Sequence, residues 1–342
     1  MTHHVIEVKG ARLSWGDWLF VFVIVHYMWW FVCACALGVG AFAWLGSRAG
    51  GLIALVAAVA YAPSFLTPVE RRGGRPWNAF RRHRIWRACH RYFETGARFT
   101  RIGPPLDPNK QYLFGWHPHG ILIVSRILSY GGVLEELLGL PGLDFRVLAA
   151  SPLFWLPGCR DICLWMGAVD ASKRNARRVL ADGTTVFVYP GGSKEIFSTD
   201  PNSAATELVL KHRKGFVKLA LERGTSLVPV FVFGEKWMYS RLNIARRARD
   251  WCLRTLRIPL LFFWGRGGLT QLPHRPLLNP RATFGLVVGE PIDVPAPEGN
   301  DGAITQEAID ALHAKYVAAV RALFEEHKAA HGYGPDETLV IT

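Results

Sequence analysis

The sequence has few cysteines, and it shows no cluster of residues with metal-ligand spacing. Its 342 residues include six cysteines, whose positions match neither a disulfide framework nor a zinc-ligand spacing. Cys159 and Cys163 are four residues apart, and Cys33 and Cys35 lie inside an apolar run. This pattern argues against a disulfide-rich secreted domain and predicts no metal site. We therefore expect the chemistry of the protein to face a reducing compartment.

The chain also lacks the signal of a serine hydrolase. Gly-x-Ser-x-Gly, the pentapeptide that places a serine nucleophile on a sharp strand-to-helix turn, occurs nowhere in it. Internal repeats and low-complexity tracts are missing as well. Hydrophobic residues make up 50% of the chain, and 13 residues are tryptophan. This composition is typical of a membrane-associated enzyme.

Formal charge is missing from residues 18–47 and, after Arg48, from residues 49–69. A membrane-spanning helix needs about 20 apolar residues, and the first stretch is too long for the core of a secretory signal peptide. Residues 18–69 therefore predict a membrane hairpin, spanning or re-entrant, that turns near residues 47–51. Flanking basic residues predict that both ends are cytosolic. A buried helical hairpin of a soluble protein is the alternative.

Acidic residues number 27 against 40 lysines and arginines, which gives a formal charge of +13. Residues 70–101 alone contain ten arginines and two glutamates. Because they follow the apolar segment, we interpret residues 70–102 as a basic juxtamembrane region that meets anionic lipid headgroups, and not as a nucleic-acid site. Residues 1–17 are the predicted cytosolic N-terminus, and residues 329–342 a loosely ordered tail.

The region from residue 103 to residue 328 has the pattern of an α/β domain. A breaker cluster at Gly103–Pro108 marks its entry. Strand candidates then alternate with helical stretches, and they lie at residues 111–116, 145–150, 184–189, 227–233 and 283–288. This alternation predicts a layered α/β catalytic domain with a mostly parallel sheet. Residues 305–328 predict an amphipathic helix packed on the core.

Within this domain, Tyr112–Val124 is the stretch around which a site is predicted. Its first half predicts a buried strand, and Ile121–Leu128 predicts the start of a helix. Between them, Pro118 disfavours a helical conformation at His117, and Gly120 tolerates unusual backbone angles. The two histidines of this turn are expected where open α/β sheets place reactive groups. A neutral histidine is the usual side chain for taking a proton from a hydroxyl.

Several blocks of the sequence carry a family resemblance. They are Phe114-Gly-Trp-His-Pro-His-Gly-Ile-Leu122, Tyr189-Pro-Gly-Gly-Ser-Lys-Glu195, Arg213-Lys-Gly-Phe-Val-Lys-Leu-Ala220, Leu227-Val-Pro-Val230, Phe233-Gly-Glu235, Phe263-Trp-Gly-Arg-Gly267 and Val288-Gly-Glu-Pro291. In this order they resemble the type-2 diacylglycerol acyltransferase family, which includes monoacylglycerol and wax-alcohol acyltransferases. The resemblance covers about residues 66–294.

The resemblance implies a glycerolipid-acyltransferase-like fold and a membrane-bound O-acyltransferase that forms triacylglycerol from diacylglycerol and acyl-CoA. Acyl-CoA is then a co-substrate, and no cofactor or metal is expected. Monoacylglycerol or a long-chain alcohol is the alternative acceptor, and a non-enzymatic lipid-binding protein is a further alternative. The implied location is the endoplasmic reticulum membrane with a cytosolic catalytic domain, or the lipid droplet. The implied partners are membrane lipids and a second copy of the chain.

The resemblance favours His119 as the general base and His117 as its structural neighbour, although spacing alone leaves their roles exchangeable. Related glycerolipid acyltransferases carry an aspartate five residues after the histidine. Here the residues at those positions are Leu122, after His117, and Val124, after His119. The group that orients the base must then come from elsewhere. Glu195 is predicted to form a hydrogen-bonded pair with His119.

Turns beside the two histidines supply the predicted substrate-binding residues. These are Pro118, Gly120, Pro190, Gly191, Gly192, Arg213, Lys214, Gly215 and Phe216. Glycine amides in the Pro-Gly-Gly turn are expected to face an anion or an oxyanion. The cations and amides of residues 213–216 open a helix and are expected to bind the phosphates of coenzyme A. A solvated basic turn is the alternative for them, and Lys236 and Arg266 are further phosphate candidates.

Overall fold

The computed structural model describes residues 2–242, 244, 246–255, 261–268, 271–295 and 304–342. The strands in these residues are β1 (His3–Val8), β2 (Ala97–Ile102), β3 (Tyr112–His117), β4 (Phe145–Ala149), β5 (Ala168–Asp170), β6 (Thr185–Val188), β7 (Ala205–Leu208), β8 (Ser226–Phe233), β9 (Ser240–Leu242), β10 (Phe262–Trp264), β11 (Phe284–Val288) and β12 (Thr338–Ile341). The largest sheet has the order β1-β2-β11-β8-β3-β6-β4-β5.

This sheet contains a block of five parallel strands, β8, β3, β6, β4 and β5. Every residue of β3 and β8 is buried, as expected for parallel strands covered on both faces. The five predicted strands are confirmed as β3, β4, β6, β8 and β11, and so is the α/β class. The sheet is mixed, however, because β11 runs antiparallel to β8 and β1 runs antiparallel to β2.

Helices cover the sheet and connect its strands. In the described residues they are α1 (Trp15–Val25), α2 (Tyr27–Leu66), α3 (Asn78–Arg82), α4 (Arg87–Arg91), α5 (Val133–Leu138), α6 (Cys159–Trp165), α7 (Lys173–Ala181), α8 (Ser193–Ser198), α9 (Gly215–Arg223), α10 (Arg246–Thr255) and α11 (Gln306–His327). Thr305 caps α11 by accepting a hydrogen bond from the Ala308 amide at 3.2 Å. Tyr316 and Phe324 of α11 are fully buried, so the predicted packing of this helix on the core is confirmed.

The apolar segment near the N-terminus is more divided than predicted. Helix α1 packs on the domain through Val21 and Ile24, which are buried. Helix α2 is interrupted at Gly46 (φ 79°, ψ 165°), close to the predicted turn. Of the described helices, one segment, Arg48–Arg71, is long and apolar enough to cross a membrane. The most apolar stretch of this segment has a mean hydropathy of 1.9, and no part of that stretch is buried. The first predicted arm, residues 18–47, is therefore not one continuous helix.

Residues outside the predicted catalytic domain also build the sheet. Strand β1 comes from the predicted N-terminus and β2 from the basic region, so the boundary at residue 103 cuts through the sheet. Two arginines of that region are buried: Arg81 stacks on Phe145 at 3.9 Å, and Arg101 donates to the Leu137 carbonyl at 2.6 Å. The interpretation of the whole region as a headgroup-binding surface is therefore wrong for these two side chains.

Two further expectations are corrected. The tail is ordered, because β12 pairs with β7 in parallel and Tyr333 is buried. The predicted helix at Ile121–Leu128 does not form. Ile123 adopts a left-handed conformation (φ 51°, ψ 48°), and a short 3-10 turn follows at Val124–Ser129. The chain after the two histidines is thus a compact turn rather than a helix.

Candidate active site

The carboxyl ends of β3, β6 and β8 lie next to one another because these strands are parallel neighbours. The turn with the two histidines follows β3, the Pro-Gly-Gly turn follows β6, and Gly234 and Glu235 follow β8. The structure therefore brings the three sequence blocks to one edge of the sheet. This is where open α/β sheets bind their ligands.

His117 is the last residue of β3 and is fully buried. Its Nε2 lies 3.0 Å from the hydroxyl of Tyr316 on α11. That hydroxyl donates to the Gly115 carbonyl at 3.1 Å, so Nε2 must carry the proton and donate to it. Any side chain on Gly115 would collide with the Tyr316 hydroxyl. His117 is therefore part of a packed core network.

The Nδ1 atom of His117 has no hydrogen-bond partner among the described residues. Burial lowers the pKa of His117 to about 3, because the charged imidazolium would be desolvated there. The ring is neutral at pH 7 and shielded from solvent. Its place in the core fits the predicted role of structural neighbour better than that of a base in contact with substrate.

His119 lies beyond the end of the strand and is half-buried. Its Nδ1 is 2.9 Å from the Gly120 carbonyl, which can only accept, so Nδ1 carries the proton and Nε2 has a free lone pair. In the described part of the chain, Nε2 makes no hydrogen bond. Burial is the largest influence on its pKa and lowers it to about 4, whereas the Gly120 carbonyl acts in the opposite direction. His119 is thus a neutral imidazole with a fixed tautomer.

Glu195 lies on α8 and is 1% exposed. One carboxylate oxygen accepts from the backbone amide of His119 at 2.7 Å, and the other from the Val209 amide at 2.9 Å. The prediction that Glu195 binds the imidazole of His119 is therefore wrong: the Gly120 carbonyl holds the ring, and Glu195 holds the backbone that carries it. Burial raises the pKa of Glu195 to about 7, although both amides lower it.

Gly191 makes room for this carboxylate. An added Cβ at Gly191 would lie 2.0 Å from the Glu195 carboxyl group. The amide of Gly192 donates to the Tyr189 carbonyl at 3.1 Å and closes the turn. The prediction that this amide faces an oxyanion is therefore wrong. The Pro-Gly-Gly turn, which begins at Pro190, shapes the seat of a buried carboxylate.

A second buried carboxylate, Glu235, was missed as a site residue. It accepts from the amides of Val124 at 2.9 Å and Ser125 at 3.1 Å, and a Cβ on Gly120 would lie 2.3 Å from its side chain. Burial raises its pKa to about 8. The signal was the Phe233-Gly-Glu235 block at the end of β8. Glu195 and Glu235 therefore fix the turn from both sides.

The predicted phosphate-binding residues have different surroundings. Lys214 forms a 2.6 Å ion pair with Asp310, and Arg213 approaches the Gly191 carbonyl at 3.4 Å. Gly215 is exposed, with open space where a Cβ would lie, whereas Phe216 is buried and packs edge-on against the ring of Tyr316. Phe216 is therefore a core residue. Arg213 and the amide of Gly215 remain open to a ligand.

The two further phosphate candidates are engaged elsewhere. Lys236 is 3% exposed, forms an ion pair with Glu337 and donates to the Ser203 carbonyl at 2.9 Å. Arg266 lies over the ring of Trp18, 5.1 Å from its centroid. The prediction of phosphate binding is wrong for Lys236, whose ammonium group is buried and paired. It stays a prediction for Arg266, whose side chain is exposed.

The diacylglycerol acyltransferase family model matches residues 50–342. The chain therefore belongs to the diacylglycerol acyltransferase family and is an acyltransferase of lipid metabolism. Membership in this family implies acyl-CoA and acylglycerol lipids as substrates.

Relatives with different named acceptors are about equally similar to this chain. The 2-acylglycerol O-acyltransferase 1 of Mus musculus is 32% identical over 79% of this chain and 80% of its own length. The diacylglycerol O-acyltransferase 2 of Dictyostelium discoideum is 32% identical over 75% and 77%. The acyl-CoA wax alcohol acyltransferase 2 of Mus musculus is 31% identical over 79% and 80%. No solved structure matches significantly.

Proposed function

We propose that this protein is a membrane-bound acyl-CoA:diacylglycerol O-acyltransferase in which His119 is the general base. One observation carries the proposal. The Gly120 carbonyl accepts the Nδ1 proton of His119 at 2.9 Å, and this leaves an unprotonated Nε2 on a half-buried ring at the strand end. A base in this state can accept a hydroxyl proton directly.

The reaction needs no covalent enzyme intermediate. The acceptor hydroxyl attacks the thioester carbonyl carbon of acyl-CoA, so a C–O bond forms and the C–S bond breaks. The hydroxyl proton passes to Nε2 of His119 and from there to the departing coenzyme A thiolate. Glu195 and Glu235 act as positioning residues, since they hold the backbone on either side of His119. A small error in that position is costly to the rate.

Arg213 and the helix start at Gly215 are the proposed contact for the phosphates of coenzyme A. Lys214 is already paired with Asp310, so we assign the larger contribution to phosphate binding to Arg213. Arg213→Ala is expected to raise the KM for acyl-CoA about tenfold and to leave kcat within about threefold, as for lost ground-state binding. Lys214→Ala is the matched control, with a smaller effect on KM. A lower kcat at unchanged KM in Arg213→Ala would contradict the assignment.

The apolar helices support a location at a membrane. Segment Arg48–Arg71 is long enough to enter a bilayer, and its apolar side chains are exposed. A diacylglycerol could then reach the site laterally from the membrane. We propose the endoplasmic reticulum membrane, with the catalytic domain on the cytosolic side, and the lipid droplet as a second location. A homo-oligomer is compatible with this arrangement.

Monoacylglycerol and long-chain alcohols are the second candidate acceptors. The relatives named for these acceptors match this chain as well as the one named for diacylglycerol. Diacylglycerol stays the first proposal. The distinction depends on the acceptor pocket and must be measured directly.

The test uses microsomes from yeast that makes no neutral lipid, expressing the wild type or His119→Ala. Radiolabelled oleoyl-CoA is supplied with diacylglycerol, monoacylglycerol or hexadecanol in separate reactions, and the products are separated by thin-layer chromatography. Triacylglycerol formed by the wild type alone supports the reaction and its base, and the ranking of acceptors fixes the substrate. If the wild-type protein is present in the membrane but forms no ester with any acceptor, the proposal fails.

A further inference from the structure

A small cavity adjoins the turn that carries His119. One wall comes from the end of α1 and the start of α2, with Ile24 and Val25, and the opposite wall from the turn itself, with Leu122 and Ile127. Its lining is mainly apolar. The cavity therefore connects the helices proposed to meet the membrane with the chain segment that follows the proposed base.

Arg126 is the one charged side chain among the described residues that line this cavity. It is half-buried, and its hydrogen-bond contacts are weak acceptors, the Tyr27 hydroxyl at 3.4 Å and the Met166 sulfur at 3.9 Å. No carboxylate in the described part of the chain lies within 4.0 Å of it. A guanidinium in apolar surroundings is costly unless its donors meet strong acceptors.

Other buried arginines of this protein have such acceptors. Arg160 donates to the Glu70 carboxylate at 2.8 Å, and Arg101 donates to the Leu137 carbonyl at 2.6 Å. Among the described residues, no carbonyl or carboxylate oxygen accepts a hydrogen bond from the Arg126 side chain. A ligand that brings such an oxygen on an apolar chain would match both the cation and the lining of the cavity.

The backbone that carries Arg126 is strained. Ile123, which also lines the cavity, is β-branched and yet has φ 51° and ψ 48°, a conformation that such residues rarely adopt. Glu235 holds the bend by accepting from the next two amides, those of Val124 and Ser125. The bend leads into the 3-10 turn that carries Arg126, whose side chain lines the cavity. Strain of this kind is concentrated at functional sites.

The cavity and the proposed base are linked through Tyr189. The ring of Tyr189 lies edge-on to His119 with centroids 5.8 Å apart, and its hydroxyl is 3.3 Å from the Ser125 hydroxyl. Ser125 immediately precedes Arg126. Tyr189 therefore contacts both the proposed base and the chain segment that carries Arg126.

We propose that this cavity is an acyl-lipid subsite in which Arg126 donates hydrogen bonds to a carbonyl oxygen of a bound lipid substrate. The inference rests on the proposed function, which supplies two such oxygens: the thioester carbonyl of acyl-CoA and the ester carbonyls of an acylglycerol. The apolar lining receives the adjoining part of the chain. If the oxygen is that of the thioester, Arg126 also stabilises the negative charge that develops there during transfer.

The test compares Arg126→Gln and Arg126→Lys in the purified full-length protein in detergent micelles. Acyl transfer from oleoyl-CoA is measured with diacylglycerol and with hexadecanol, which has no carbonyl. We expect Arg126→Gln to lower kcat/KM with diacylglycerol about 10- to 100-fold, as for loss of a charge-assisted hydrogen bond, and Arg126→Lys to restore part of it. Arg177→Gln, in a surface ion pair with Glu222, is the matched control.

The two acceptors separate the two oxygens. An equal loss with both acceptors supports binding of the thioester carbonyl, and a loss confined to diacylglycerol supports binding of its ester carbonyl. A change of less than twofold with both acceptors overturns the proposal. So does a Tyr27→Phe variant that reproduces the full loss, because Arg126 would then act only as a tether for α2. A wild type without transferase activity would instead reject the proposed function.

Discussion

On one side of Pro118, His117 lies in the core under α11, and on the other side His119 lies half-buried at the edge of the sheet. The same side chain thus meets two environments. His117 donates to Tyr316 and has no access to solvent, whereas His119 donates to its neighbour's carbonyl and keeps Nε2 free. The last strand residue belongs to the fold, and the second residue after it is free for chemistry.

The largest contrast is expected between alanine variants of the two histidines. His119→Ala should lower turnover by about 10²- to 10⁴-fold, the usual contribution of a general base. The free energy of unfolding should change by about 0.5 kcal/mol or less. His117→Ala should destabilise the protein by about 1 to 3 kcal/mol, because the Tyr316 hydroxyl loses a buried partner. Labelled acyl transfer and thermal unfolding in detergent measure both. If the two variants lost turnover equally and were equally stable, the two histidines would not have the different roles assigned to them.

Glu195→Gln should have the next largest effect. Glu195 accepts hydrogen bonds from the backbone amides of His119 and Val209. The glutamine side chain has one acceptor oxygen and can keep only one of these two bonds, so the turn loses part of its support. We expect kcat to fall about 10- to 100-fold, in line with the cost of an unsatisfied buried group. Glu207→Gln, at an exposed position on β7, is the control and should retain kcat. A wild-type kcat in Glu195→Gln would show that the carboxylate does not position the base.

Tyr316→Phe tests the buried side alone. The ring stays, but the His117 Nε2 proton loses its acceptor and the Gly115 carbonyl loses its donor. The free energy of unfolding is expected to fall by about 1 to 3 kcal/mol. Because the substitution does not touch the proposed base, kcat should stay within about threefold of wild type. Thermal unfolding and initial rates give both quantities. A large fall in kcat without destabilisation would assign His117 a direct part in the reaction.

The buried histidine should also affect the pH dependence of stability. Burial lowers the pKa of His117 to about 3, so the unfolded chain binds more protons below its own pKa of about 6.5. The contribution of His117 is therefore complete above that pH and is lost as the pH falls toward 3. In His117→Gln, the slope of unfolding free energy between pH 6 and 4 should be shallower by about 1.4 kcal/mol per pH unit. A wild-type slope in His117→Gln would contradict this expectation.

Local pattern was sufficient for the strands that are buried on both sides. Strand β8 is apolar from Leu227 to Phe233, and its complete burial fits its place inside the sheet. Strand β1 was missed because most of its residues are exposed and only the distant β2 makes it a strand. Strand β12 was missed for the same reason, since β7 is its partner. Edge strands depend on partners that a short stretch of sequence does not contain.

The hydrogen bonds around the predicted site residues could not be derived from the sequence. His119 and Glu195 lie together as expected, but the carboxylate binds a backbone amide, and no residue type signals such a partner. The helix after Gly120 was wrong because Ile123 takes a conformation that its side chain disfavours. Glu235, which supports that bend, becomes recognisable as a site residue only once β8 is placed beside β3.

The pairing of β1 with β2 sets an order of events during synthesis. Residues 3–8 pair with residues 97–102, and the long apolar helix is made in between. At about 5 to 20 residues per second, β1 waits roughly 5 to 20 seconds for its partner, longer than a small domain needs to fold. The apolar helix therefore leaves the ribosome before this edge of the sheet can close. If this helix enters the membrane as proposed, its insertion precedes completion of the sheet.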